Sequence, residues 1–482
     1  FTLLGRFSAG LADLIVVLLI FKTVELLEKN QANKTTWFGP AVKYWASLFY
    51  ATAVLPIQLA HFFATDPFLN LLAFASIYAA LRFFYQSQKT WLLGSGVFLG
   101  MALASKISAI FILPINLLLL SGQQQLPNWT KLKKQFSHYL FTSLKNWLIF
   151  IIITYVSLRL ADPYLFAHAN LLDPRLNPDF IANLKTLKSW EGPDVMFPPA
   201  IQWISKGPWF GLKNLSLYGL GLIHTLLAAA GLITLGKIIK NHYRQYWHLA
   251  LLYLSVLAVF IYQSLQFVKA LRYFLLLYPF LAILGGIALN QLIIKLQKTL
   301  PQKYYSTMII GILLMLLTWP LMFNSIYVRP HSRVSASHWL YRNLPTNSLI
   351  LTEHWDDGLP LSVLPTYHKT FRFKQLPVFD PDTPEKFAKF TQLLDQADYY
   401  ILTSNRGWGS IPTVPDKYPQ MTRFYADLFA GKLGYQKIAE FTSYPSLQYL
   451  GIPITINDDQ ADETFTVYDH PKVMVFKNET KN

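Results

Sequence analysis

The chain has 482 residues, of which 53% are hydrophobic and only 14% charged, against about a quarter charged in ordinary soluble domains. That balance excludes a single soluble globular domain. A net charge of +16 would suit a polyanion, but much of the Lys and Arg lies in short loops between apolar runs, the bias of inward-facing membrane loops, so nucleic acid is not expected as a partner. Without cysteine there is no disulfide framework and no thiolate site.

A bilayer core of ~30 Å needs about 20 apolar residues per helix. In chain order, the runs that meet or approach this length are Phe7–Leu27, Val42–His61, Pro67–Phe84, Asn146–Leu160, Leu215–Leu235, Trp247–Phe267, Ala270–Ile294 and Ser306–Tyr327. Trp91–Leu120 is longer and carries Lys106 at its centre. It reads as one tilted helix or as a pair of short helices meeting at Ser105-Lys106. Loop charge favours the pair. Lys29, Lys34 and Lys43, then Arg82 and Lys89, then Lys131, Lys133 and Lys134, then Lys237, Lys240 and Arg244, and finally Lys295, Lys298 and Lys303 fall on one side only if this run crosses twice. The expectation is a polytopic α-helical domain over 1–327 with about ten crossings, a long outer loop 162–213, and a soluble α/β domain over 328–482 on the outer side. The apolar sequence begins abruptly at Phe1 with no signal-peptide pattern, and an upstream portion is expected.

Charges become dense beyond Tyr327. Ser348–Thr352, Tyr399–Thr403 and Lys437–Thr442 read as strands. Asp382-Thr383-Pro384-Glu385 opens a helix to about Gln396, with a capping residue and a proline in the first turn. Tyr418–Ala430 reads as a helix stopped by Gly431. Thr464–Tyr468 and Lys472–Phe476 flank Asp469-His470-Pro471 as a hairpin-like pair.

Ionisable groups at membrane depth are costly and usually functional. Here they fall at one level: Arg6 at the outer end of the first helix, His61 and Asp66 in the second outer turn, Lys106 at the next vertex, and Lys269 and Arg272 opening the penultimate helix. Several cations and a carboxylate at an outer face suit an anionic lipid headgroup, with the cations on phosphate and the carboxylate on a reacting hydroxyl. The bland alternative is that the cations snorkel and Asp66 only caps the helix beginning at Pro67. Asp13, about two turns below Arg6, is expected to pair with Arg6 or another polar group. The outer loop carries Asp173-Pro174-Arg175, Asn177-Pro178-Asp179, Trp190-Glu191-Gly192-Pro193 and Phe197-Pro198-Pro199, and reads as an interfacial lid or a packing loop. In the soluble part, Glu353, His354, Asp356 and Asp357 are candidates for sugar hydroxyls or a divalent cation, with Trp355 as a stacking surface; the alternative is a solvated strand-end loop.

Gly5-Arg6-Phe7-Ser8-Ala9, His61-Phe62-Phe63-Ala64-Thr65-Asp66-Pro67, Gly100-Met101-Ala102-Leu103-Ala104-Ser105-Lys106, and Arg272-Tyr273 with Tyr278-Pro279 resemble successive blocks of the GT-C glycosyltransferases. They are most similar to bacterial relatives of dolichyl-phosphate-mannose protein mannosyltransferases and of aminoarabinose transferases. In the tail, Arg333-Val334-Ser335-Ala336-Ser337 with Trp339, Glu353-His354-Trp355-Asp356-Asp357 and Phe465–Val473 resemble blocks of large membrane glycosyltransferases of that superfamily. The resemblance implies a GT-C-like membrane domain in the plasma (inner) membrane. It implies a polyprenyl-phosphate-linked sugar donor and transfer, with inversion, to a hydroxyl of a glycan, lipid or protein acceptor on the non-cytoplasmic face. It also implies phosphate-contacting roles for Lys106 and Arg272, with Arg6, Lys269 and Tyr273 beside them. The family's principal carboxylate lies in a first outer loop ahead of the Gly-Arg helix. The resemblance therefore leaves that residue upstream of Phe1 and gives Asp66, with His61, a supporting role. Two other readings compete: a transporter or flippase of a lipid-linked or anionic solute, and a non-catalytic scaffold whose outer domain binds glycan.

Overall fold

A computed structural model describes residues 2–30, 39–121, 129–192, 198–362 and 367–481. Phe1, Lys34, Pro193 and Phe197, and the side chains of Lys131, Lys133, Lys134, Pro198 and Pro199, lie outside the described residues. The chain divides into two compact units. The first comprises Phe1–Leu184, Gly211–Gln266 and Leu271–Pro320; the second comprises Lys185–Phe210, Phe267–Ala270 and Leu321–Asn482.

The first unit is helical. Among the described residues of the chain, seven helices are long and apolar enough to cross a membrane, and Ile107–Leu120 is a shorter apolar one. The expected run Val42–His61 is interrupted: helices Val42–Ala51 and Val54–Ala60 meet at Thr52-Ala53, where Ala53 is extended and Pro56 starts the next turn. The run around Lys106 also breaks. Helix Lys89–Ser105 ends there, Lys106 is extended at φ −163° and ψ 130°, and the chain resumes as the 3-10 turn Ile107–Ile112 and helix Leu113–Leu120.

Small residues let these helices approach. A Cβ on Gly231 would lie 1.9 Å from the Leu284 carbonyl oxygen, and one on Gly100 2.5 Å from that of Thr154. Without a side chain between them, the backbones pack at a distance no larger residue permits. Several buried polar groups inside the bundle are paired with each other. Tyr50 donates to Asp13 at 2.6 Å and receives Asn70 at 2.8 Å, and Thr52 meets His224 at 2.8 Å. Asp13 thus takes Tyr50 as its hydrogen-bond partner.

The second unit is built on a five-stranded sheet of order β2-β1-β3-β5-β4. Its strands are β1 (Leu349–Glu353), β2 (Arg372–Leu376), β3 (Tyr399–Leu402), β4 (Tyr435–Phe441) and β5 (Val473–Asn478). β1 is parallel to β2 and β3, whereas β5 is antiparallel to β3 and β4. Both faces are covered. Leu349, Leu351, Tyr400, Leu402 and Phe476 face the core shared with Phe390, Met421 and Phe424 of helices Pro384–Gln396 and Pro419–Phe429. Ile350, Ile401, Val473 and Val475 face Ala336 and Leu340 of helix Ser332–Asn343. The alternation along each strand is the pleat sending successive side chains to opposite layers. Thr383 caps helix Pro384–Gln396 by accepting from the Lys386 amide at 3.2 Å, and Gly431 follows helix Pro419–Phe429 with a positive φ of 70°.

One expected element is absent in its expected form. Thr464–Tyr468 is not a strand: Glu463–Thr466 is a short helix whose start Asp462 caps by accepting from the Thr464 amide at 3.0 Å. Asp469-His470-Pro471 is therefore no hairpin turn, and β5 finds its partners in β3 and β4. The His470 ring sits between Asp469 and Asp458, and Tyr327 donates to Asp469 at 2.9 Å. Burial alone would push the imidazole pKa down. The flanking carboxylates outweigh it and hold it up at about 10, so this is an imidazolium clamping two chain segments.

Candidate functional site at the broken helices

The helix Asp66–Gln86 begins with Asp66 in its first turn and Pro67 behind it, an arrangement that leaves the carboxylate at the helix mouth. Asp66 is 4% exposed, and its side chain would be a costly buried charge without a partner. The partner is Lys106, whose Nζ lies 2.9 Å from Asp66 Oδ1. The break at Ser105-Lys106 is what makes this contact available, because an extended residue throws its side chain out of the helical stack. Lys106 Nζ also lies 4.5 Å from the centre of the Tyr273 ring, and the Arg272 guanidinium lies 5.5 Å from the same ring. Arg272 and Tyr273 belong to the 3-10 turn Leu271–Leu277, which precedes helix Tyr278–Thr299. Irregular backbone thus converges from two places on one ammonium, one guanidinium and one carboxylate, and such backbone at membrane depth is tolerated where it serves a site or is buried in protein.

The other predicted residues of this level are placed differently. His61 is exposed and its Nδ1 lies 2.7 Å from the Ile57 carbonyl, closing its own helix end. Arg6 is exposed on the first helix, beside Gly5, where a Cβ would sit 2.3 Å from the Phe63 ring; that close approach seats the helix start against the 61–65 turn. Lys269 belongs to the second unit, is 6% exposed, and donates to the Phe267 carbonyl at 3.3 Å. Burial pushes its ammonium pKa below the usual lysine range. In the outer loop, Asp173 and Arg175 pair at 2.7 Å and helix Pro178–Ser189 has no buried residue.

In the second unit the predicted acidic run is not a row of solvated carboxylates. Glu353 is 2% exposed; its Oε1 accepts from Tyr400 at 2.6 Å and from Tyr425 at 2.7 Å, while Oε2 is buried without a hydrogen-bond partner. Desolvation raises its pKa to about 7, against the lowering effect of the tyrosine hydroxyls. Asp356 and Asp357 both pair with Arg333, at 3.0 and 2.5 Å, and Ser404 donates to Asp356 at 2.6 Å. Among the described residues no group of three His, Cys, Asp or Glu side chains could hold a metal ion. Ser404, and Arg406, which donates to the Trp355 carbonyl at 2.6 Å, were not singled out from the sequence. The signal for them is Ser404-Asn405-Arg406-Gly407-Trp408-Gly409, a polar, glycine-bearing run straight after an apolar strand.

Residues 4–154 match the family model of the dolichyl-phosphate-mannose-protein mannosyltransferases, so the part of the chain holding Arg6, Asp66 and Lys106 is similar to that class of membrane enzyme. Among solved structures, the chain is similar to ArnT from Cupriavidus metallidurans in the apo state, with 15% identity, 98% of this chain and 84% of that one covered, and a TM-score of 0.42. It is likewise similar to the same protein bound to undecaprenyl phosphate, with 14% identity, 97% and 83% covered, and a TM-score of 0.42. No curated protein sequence matches.

Proposed function

We propose that the chain is a membrane glycosyltransferase that moves a sugar from a polyprenyl-phosphate carrier to an acceptor hydroxyl, with inversion, at the outer face of the plasma (inner) membrane. The observation that carries this reading is the Asp66–Lys106 pair at 2.9 Å, set against Tyr273 and Arg272, with both members of the pair inside the segment that matches the mannosyltransferase family model. Cleaving a sugar from a phosphodiester turns the departing lipid phosphate from one negative charge toward two. Cations already in place favour that change, because their attraction grows as the bond breaks. Lys106 and Arg272 supply them. A phosphate entering beside Lys106 competes with Asp66 for the ammonium, and a carboxylate relieved of its cation is a better acceptor for an incoming hydroxyl's hydrogen bond. A single displacement at the anomeric carbon, with phosphate leaving from the opposite side, inverts its configuration.

The test is transfer from polyprenyl-phosphate sugars by the full-length protein in lipid membranes. Lys106→Ala and Arg272→Ala should each reduce turnover by about a hundredfold or more, the scale seen when one charge-stabilising donor is removed, and should weaken donor binding while membrane insertion stays normal. Unchanged activity in both variants would remove the phosphate-site assignment. Solute flux across vesicles, with no turnover of any donor, would favour the transporter.

A further inference from the structure

The second unit carries a topological switch point at the carboxyl ends of β1 and β3. From β1 the chain goes to β2 on one side, and then β3 takes the other side of β1, all three parallel. At such a switch point the loops leaving the carboxyl ends of adjacent strands diverge, and ligands of open α/β sheets bind there. The loop leaving β1 is His354-Trp355-Asp356-Asp357 and the loop leaving β3 is Thr403 to Gly407.

These loops are braced to an unusual degree. Trp355 adopts φ 74°, a left-handed conformation that costs a bulky residue energy. Arg406 holds it there by donating to the Trp355 carbonyl at 2.6 Å and ties the same loop to Glu463 at 2.9 Å. Arg333 and Ser404 fix Asp356. Beneath the loops, the buried and unpartnered Oε2 of Glu353 faces Gly407, where a Cβ would come within 2.4 Å of it. Despite this bracing, the Trp355 residue stays 44% exposed, with the His354 ring 5.5 Å away, and the Asp357 side chain stays 69% exposed. An indole is a large apolar surface that folding ordinarily hides. Here it is presented by a rigid, hydrogen-bonded loop, a preorganised surface that would lose little conformational entropy on binding.

Charge selects the ligand class. The Arg333 and Arg406 guanidiniums meet the Asp356, Asp357 and Glu463 carboxylates, so an anion finds no surplus of positive charge. A cation finds carboxylates already engaged by arginine. What remains suited is an uncharged ligand with an apolar face and a rim of hydroxyls. We propose that the surface presented at this switch point is a carbohydrate-binding site that takes a neutral pyranose against the Trp355 ring, with Asp357 and His354 hydrogen-bonding its hydroxyls. The residues that form it all belong to the second unit, and the proposal does not depend on the transferase reading.

The experiment uses the full-length protein in lipid nanodiscs prepared without sugar-based detergent. Saturation-transfer NMR is recorded with glucose, galactose, mannose, N-acetylglucosamine and their short oligomers. At least one neutral saccharide should bind, Trp355→Ala should weaken it more than tenfold, and Asp357→Asn should weaken it severalfold. Both side chains are exposed enough for the variants to fold, which circular dichroism and the melting temperature check. The proposal is overturned if no saccharide of the panel binds, if both variants bind like the parent, or if sugar phosphates or inorganic phosphate displace the sugar. Donor turnover measured on the same preparations keeps this outcome distinct from failure of the transferase reading.

Discussion

Glu353 shows how much a residue's chemistry depends on what folds around it. In the sequence it stands one residue from His354 in an acidic run and reads as a solvent-facing ligand. In the fold it closes β1, receives the Tyr400 and Tyr425 hydroxyls on one oxygen and leaves the other buried without a partner. Its pKa, raised to about 7, has a consequence for stability. A carboxyl with a folded pKa above its unfolded value binds its proton more tightly when folded. Its contribution is fully present below the unfolded value and is lost as the pH rises through about 7. Glu353→Gln should therefore remove a pH-dependent loss of roughly 2 kcal/mol between pH 5 and pH 8. The measurement is the melting temperature at both pH values, and an equal pH response in parent and variant would contradict the assignment. Asp13 carries the same lesson: its partner Tyr50 lies on another helix, 37 positions along the chain.

At the scale of elements, length and hydropathy foretold where helices run but not how they meet. Gly231 and Gly236 look alike in the sequence, both glycines in an apolar helix. A Cβ on Gly231 would strike the Leu284 carbonyl at 1.9 Å, whereas nothing lies within 4 Å of one on Gly236. Gly231→Val should force helices Leu222–Asn241 and Tyr278–Thr299 apart and destabilise the protein by about 1–3 kcal/mol, the usual cost of overpacking, while Gly236→Val should be close to neutral. Thermal unfolding of both variants in micelles checks this, and equal midpoints would show that the helices do not pack on that face. The same scale explains the strand that was not found. Phe465, Thr466 and Val467 are β-formers, but Asp462 caps the helical turn Glu463–Thr466 that takes in the first two, and the His470 clamp holds the turn that follows. Local capping and a long-range ion cluster together overrode propensity.

At the scale of the whole molecule, the proposed placement of the second unit outside the cytoplasm has a direct test. An alkaline phosphatase fused after Tyr327 should be active, and a cytoplasmic fluorescent reporter at the same point should be dark. The opposite result would reverse the proposed topology of the second unit. The polytopic helical part and the α/β part were both legible from composition, because apolar runs of membrane length and a sudden rise in charge are one-dimensional signals. So were β1, β3, β4 and helix Pro384–Gln396, whose β-rich runs, cap and proline are local. β2 was not, since Arg372–Leu376 is an edge strand with four exposed residues and no apolar alternation. Asp66, Lys106, Arg272 and Tyr273 could be named from the sequence, because a charge in an apolar setting stands out. That Lys106 meets Asp66 and Tyr273, that Arg333 pairs with Asp356 and Asp357 after β1, and that Arg406 braces the Trp355 carbonyl are tertiary decisions. Each depends on a contact between residues dozens of positions apart, formed only when helices break and strands pair in one particular order.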